Sequence, residues 1–241
     1  MCRMFGLTAA QPVEARQLLR DAPRSLRTLS NEHPDGWGVA LRTADDWMLH
    51  RSTACAARCA TYDELVDQVA TRLLVAHVRQ KTVGEAKLAN THPFRRGPFV
   101  FAHNGTVKAI AALVARSSAA RLAEIEGETD SERLFAFLLT RIDEAGDIAR
   151  GLTAGVAELH ALADLGSATF LFSCGERLYA HRLGRSLFTL VRHGAHEARR
   201  TATAIVASER LTDEVWLEVP ERTLVAVDVA GESIVRRLLA A

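Results

Sequence analysis

Cys2 directly follows the initiator methionine and heads the strand-like apolar run Met4-Phe5-Gly6-Leu7, which ties the start of the chain to its first strand. Once Met1 is trimmed, Cys2 carries both a thiol and a free α-amino group. An α-amine titrates near ~8, far closer to neutrality than a lysine, and takes a thiol proton through a bridging water. Nucleophile and base then sit on one residue. Taken alone, a second-position cysteine is more often a chance neighbour of the start codon, so its meaning depends on the stretches that follow.

Residues 13–20 read as a short helix, with Pro12 at its start. Asn31-Glu32-His33-Pro34-Asp35-Gly36-Trp37-Gly38 combines proline, aspartate and two glycines and reads as a loop leading into the strand Val39-Ala40-Leu41. Helical spacing over residues 62–72 passes into Leu73-Leu74-Val75-Ala76-His77-Val78-Arg79, a strand that delivers a histidine and an arginine at its end. An arginine fork holds a carboxylate bidentately; an isolated arginine more often makes a surface ion pair. Turns are expected at Lys81-Thr82-Val83-Gly84 and Asn90-Thr91-His92-Pro93-Phe94.

The strand Phe99-Val100-Phe101-Ala102 runs into His103-Asn104-Gly105. Asn-Gly is ordinarily a hairpin signal. Here Ile110, Leu113 and Val114 point to a following helix, and a strand-to-helix corner would free the asparagine amide and the glycine N–H as two donors for one oxyanion. Glu128-Thr129-Asp130-Ser131-Glu132 opens an amphipathic helix with Leu134, Phe137, Leu138 and Ile142 on one side. Thr129 with Glu132 fits a capping box, while Asp130 suits either the helix dipole or a ligand ammonium.

Taken in order, Cys2, the Asp35-Gly36-Trp37-Gly38 loop, His77-Val78-Arg79, Ala102-His103-Asn104-Gly105 and Glu128 to Glu132 resemble the class II glutamine amidotransferases, whose glutaminase domains are N-terminal nucleophile hydrolases. The resemblance implies an α+β fold, a four-layer αββα sandwich, over a single domain of residues 2–241. It makes Cys2 the nucleophile and gives the oxyanion to the Asn104 amide and the Gly105 N–H. It assigns the substrate α-carboxylate to Arg79 with Thr82, the α-ammonium to Asp130, and a place in the lining to His92, with the Asp35–Gly38 loop closing over the site. His33-Pro34-Asp35-Gly36 is closer to the small stand-alone members, and Lys81 and Val83 depart from the family's usual residues.

The implied activity is cleavage of the side-chain amide of glutamine or a γ-glutamyl amide through a cysteine thioester, with no cofactor and no metal. A stand-alone hydrolase is expected, because the strands through Val235 are needed to complete two sheets and leave no synthase domain. The alternatives are a glutaminase subunit that passes ammonia to a separate synthase partner and a non-catalytic glutamine-binding protein. A metal hydrolase using His77, His92 and His103 lacks a carboxylate or cysteine at ligand spacing. A homo-oligomer stays open.

Composition narrows the partners. The 241 residues carry a formal net charge of +1 with their arginines scattered, so nucleic acid is not expected. No apolar run of about 18 residues and no signal peptide is present, so neither is a membrane, and a cytoplasmic location is expected. The cysteines at 2, 55, 59 and 174 form neither a disulfide framework nor a zinc pattern. Beyond the motifs, residues 148–165 read as helix and residues 168–172, 178–181, 187–191, 204–207 and 223–229 as strands.

Overall fold

Side chains alternate across a strand, so a chain with apolar residues at both parities must cover both faces of its sheets. A computed structural model of the protein describes residues 2–81, 85–193, 202–228 and 235–239. The strands are β1 (Arg3–Glu14), β2 (Trp37–Arg42), β3 (Trp47–Ser52), β4 (Ala70–Val78), β5 (Phe94–Arg96), β6 (Phe99–Val107), β7 (Gly166–Ser173) and β8 (Leu178–Arg182). They continue with β9 (Phe188–His193), β10 (Ala202–Ala207), β11 (Leu217–Glu218), β12 (Thr223–Val227) and β13 (Val235–Leu239). One antiparallel sheet has the order β11-β9-β10-β1-β4-β2-β3 and the other β13-β12-β8-β7-β6-β5.

The alternation is visible in the cores. Met4 of β1, Leu73 and Val75 of β4, and Val100 and Ala102 of β6 meet between the two sheets with Leu171, Leu178 and Val206. Phe5, Leu7, Leu74, Ala76 and Val78 point the other way, under α1 (Leu26–Leu29) and α2 (Ala60–Gln68). Phe101 lies on the opposite outer face, where α5 (Asp130–Ala145) and α6 (Ile148–Ala161) pack with α3 (Ile110–Ala115), and α4 (Ala119–Ala123) is held to α5 by Arg121 and Asp143 at 2.7 Å. The result is the αββα sandwich. A Cβ on Gly6 would lie 2.7 Å from Leu178 Cδ2, so glycine in the middle of β1 lets the two sheets approach.

Several local expectations change. Only the second half of residues 13–20 is helical: β1 continues through Pro12 to Glu14, and a single turn of π-helix over Gln17–Asp21 follows, closed by the Ala22 N–H donating to Gln17 O at 2.8 Å. Proline is tolerated there because the ladder with β4 is already irregular between Thr8 and Val13. Trp37 and Gly38 do not form a flap. They begin β2, between β3 and β4, and Trp37 is buried edge-on against Tyr62 with ring centroids 5.0 Å apart. Asn104 and Gly105 lie within β6, paired with Thr169 and Ala168, so the strand-to-helix corner comes after Val107. The end of the strand expected over residues 223–229 lies outside the described residues.

Thr129 caps α5 as expected, its Oγ1 accepting from the Glu132 N–H at 3.4 Å. The return half of the capping box is missing, because the Glu132 carboxylate accepts from the Glu126 N–H at 3.0 Å and the Gly127 N–H at 2.8 Å and pairs with Arg96 at 2.9 Å. Burial pushes the Glu132 carboxyl up, against the pull of those N–H groups and of Arg96. Arg96→Ala leaves that carboxylate buried with only backbone donors and is expected to destabilise the fold by roughly 3 kcal/mol. A urea midpoint equal to the wild type's would show that the pair contributes nothing.

Candidate active site

The inner parity that buries Met4, Val75 and Ala102 also carries Cys2, His77 and Asn104. β1 and β4 pair with Met4 opposite His77, and β6 faces them from the second sheet, so the three residues arrive at one end of the gap between sheets. The Asn104 Nδ2 donates to the Cys2 carbonyl oxygen at 3.0 Å, joining the sheets at that point. A primary amide has two N–H donors, so this bond leaves one for another acceptor. Gly105, at φ +155°, follows on β6, and a Cβ there would lie 2.2 Å from Ser167 O. Only glycine lets β6 lie this close to β7 beside the thiol.

The Cys2 Sγ accepts from the Gln80 N–H at 3.3 Å and lies 3.4 Å from the Gln80 carbonyl oxygen. Burial pushes the thiol up, with the Gln80 N–H and the Arg79 guanidinium acting in the opposite direction, and the net shift is upward. A thiol in this state is protonated at neutral pH and needs a base to become a nucleophile.

Arg79 follows β4. Its N–H donates to Gly36 O at 2.8 Å, its carbonyl accepts from Asp35 N at 3.0 Å, and its guanidinium donates to Glu85 O at 3.0 Å. Asp35 in turn accepts from the Lys81 N–H at 2.8 Å, so the Asp35–Gly36 turn serves to fix the Arg79 backbone. Burial pushes the Arg79 guanidinium down, opposed by Cys2 and Asp35, yet an arginine remains cationic. Asp130, in the first turn of α5, accepts from the Val107 N–H at 2.6 Å and thereby ties that helix to the end of β6. Thr82 lies outside the described residues, as does Met1.

His92 is buried in an aromatic stack, its ring 4.4 Å from both His77 and Phe94. Burial pushes His92 well down and His77 to about 3, so both rings are neutral and pack against one another. His103 has both ring nitrogens engaged, Nδ1 with Ser131 Oγ at 2.9 Å and Nε2 with Ser167 O at 3.2 Å. Cys55 is likewise occupied, its Sγ donating to Ser30 O at 3.3 Å.

A cavity opens at Cys2, lined also by Arg3, Asn104, Gly105, Thr106, Arg185, Ser186 and Ser208. Arg79, Asp130 and His92 are not among its lining residues. Sequence reasoning missed Arg185, Ser186 and Ser208. Their only signal is a position just beyond a strand, Arg185 and Ser186 after β8 and Ser208 after β10. Ser208 also pins the start of β1: its N–H donates to Met4 O at 3.0 Å, and its Oγ accepts from Met4 N at 3.1 Å.

A half-buried thiol that opens to a cavity can attack a carbonyl, and an amide donor beside it can hold the oxyanion that forms. The chain is similar to several known proteins. The family model described as Glutamine amidotransferases class-II matches residues 1–202. The γ-glutamyl-hercynylcysteine sulfoxide hydrolase of Mycobacterium tuberculosis is 30% identical over 246 residues, covering 97% of this chain and 96% of that protein. An uncharacterized protein of Methanocaldococcus jannaschii is 28% identical over 76% of this chain, which spans only 51% of that relative's length. Among solved structures, a glutamine aminotransferase class-II domain protein from Silicibacter pomeroyi superposes with a TM-score of 0.68 at 20% identity, covering 98% of both chains. The glutamine phosphoribosylpyrophosphate amidotransferase of B. subtilis gives 0.71 at 18% identity, over 100% of this chain and 50% of its own. At those identities the structural likeness is one of fold.

Proposed function

This chain belongs to the class II glutamine amidotransferases, and from that premise we propose that it hydrolyses the side-chain amide of glutamine or of a γ-glutamyl amide through a thioester on Cys2. The observation that carries this reading is the Cys2 thiol at the end of the inter-sheet gap, joined through its own carbonyl to the Asn104 amide and open to a cavity. A relative of nearly the same length is named for hydrolysis of a γ-glutamyl conjugate, which supports water as the acceptor.

In the proposed reaction Met1 is removed and the freed α-amine of Cys2 takes the thiol proton. The thiolate attacks the side-chain carbonyl, and the oxyanion is held by the second N–H of the Asn104 amide and by Gly105 N–H. The C–N bond breaks as the Cys2 ammonium returns its proton to the departing amine, and water then cleaves the thioester to release glutamate. Arg79 and Thr82 hold the α-carboxylate, Asp130 holds the α-ammonium, and His92 packs behind the site. For Arg79 and Asp130 this requires side chains that now also bind Glu85 O and Val107 N to share their hydrogen bonds with substrate.

The test is to incubate untagged protein with glutamine and with γ-glutamyl amides and to measure glutamate. Release without any second protein supports the stand-alone hydrolase. Release only after a second protein is added would favour a subunit that hands ammonia to a synthase, and the two-fold greater length of the B. subtilis neighbour keeps that arm in the design. Arg79→Ala should weaken substrate by roughly 2–5 kcal/mol, mostly in KM, because the head-group contact is the same in ground and transition states. A fall in kcat with KM unchanged would show that Arg79 does not hold the head group.

A further inference from the structure

The geometry points to Arg185 as the residue that selects the leaving group, reading a carboxylate on the departing amine, so that the preferred substrates are γ-glutamyl conjugates of amino-acid type rather than glutamine. This inference rests on the thioester reading above. In the sheet, β1 has β4 on one side and β10 on the other. Arg79, just after β4, acts on the Cys2 thiol through its charge, and the next residue, Gln80, donates its N–H to Sγ. Arg185, in the turn between β8 and β9, lines the Cys2 cavity with Ser186 and with Ser208 at the end of β10. One cation thus acts on the thiol through its charge, and a second lines the cavity into which the thiol opens. Glutamine offers only one carboxylate, and its leaving group is ammonia, which gives a second cation nothing to bind.

Arg185 differs from its neighbours in having nothing else to do. Arg3, also in the lining, is paired with Glu209. Among the described residues the Arg185 guanidinium has no hydrogen bond and no ion pair. Its backbone is nevertheless fixed. Its carbonyl accepts from Thr169 Oγ1 at 3.2 Å, Ser186 Oγ donates to Ser208 O at 2.8 Å, and Gly184, at φ +76°, brings the turn against Ser167, where a Cβ would meet the Ser167 Cβ at 2.7 Å. A half-buried cation on a fixed turn beside the reacting carbonyl is placed to form a charge-assisted hydrogen bond with an anion carried by the leaving amine.

The experiment compares γ-glutamylglycine with γ-glutamylglycinamide, which differ only in a carboxylate against a carboxamide on the leaving amine, with glutamine as the third substrate. For the wild type, kcat/KM is expected to favour γ-glutamylglycine by about tenfold or more, the scale of one hydrogen bond to a charged group. In Arg185→Gln the ratio should fall to about one, and in Arg185→Lys, which keeps a point charge without the fork, it should be intermediate. Binding to the Cys2→Ala protein, measured by calorimetry, should show the same preference without turnover. Equal rates on the two conjugates in the wild type, or a ratio unchanged in Arg185→Gln, would overturn the role of Arg185 and leave the hydrolase intact. Glutamate release from none of the three substrates would overturn both.

Discussion

Cys2→Ala is expected to release glutamate at least about 10⁴-fold more slowly than the wild type while still binding substrate, because the attacking atom is gone and the head-group contacts are not. A second route should give the same loss with the thiol present. Burial pushes the Cys2 thiol up, so it is protonated at neutral pH, and none of the described side chains that touch its Sγ is a base. In the proposed mechanism the base is the α-amine of Cys2 itself, which exists as an amine only when Met1 has been removed. Protein carrying an uncleaved extension ahead of Cys2 should therefore be inactive. In processed protein kcat/KM should rise with pH as the amine loses its proton near ~8. Intact mass measured on the same active sample decides the matter: full turnover with Met1 quantitatively retained is incompatible with this mechanism.

Asn104→Ala should lower kcat by about 10²–10³ with little change in KM, since its donor matters most once the carbonyl oxygen has become an oxyanion. The structure adds a complication to that result, because the same Nδ2 holds the Cys2 carbonyl at 3.0 Å. Loss of the amide could displace the nucleophile as well as remove a donor. The two effects separate on the thiol itself. If Asn104 acts on the oxyanion alone, Asn104→Ala alkylates at Cys2 at the wild-type rate and only turnover falls. If alkylation slows in parallel with kcat, positioning of Cys2 accounts for the defect. An effect confined to KM would remove Asn104 from the oxyanion role.

Much of the fold and part of the site were legible in the residues. Alternating apolar runs placed the strands from Val39, Leu73, Phe99, Ala168 and Leu178 close to where they lie, and Thr129 marked the start of α5. The ordered motifs pointed to one family, and with it to two stacked sheets between helices, which periodicity alone does not specify. Where local reading failed, longer-range pairing was the cause. Pro12 signals a helix start by itself, but β1 runs through it at an irregular point of its ladder with β4. Asn-Gly signals a turn, but Asn104 and Gly105 are held in a strand by β7. Trp37 and Gly38 look like loop residues until β4 and β3 close on either side of them.

The sequence by itself determined which atoms are available for chemistry: a thiol in second position, an amide next to a glycine on an apolar strand, and an arginine and an aspartate at element ends. These are local facts, carried by residue type and by spacing along one element. Only the tertiary structure decided which of them meet. The 102-residue separation between Cys2 and Asn104 is closed because inner-facing parity on β1 and β6 aims both into the same gap between sheets. Arg185 joins them from a turn with no motif of its own, since a side chain's proximity to a thiol depends on sheet order and register, and neither is written in the residues around it.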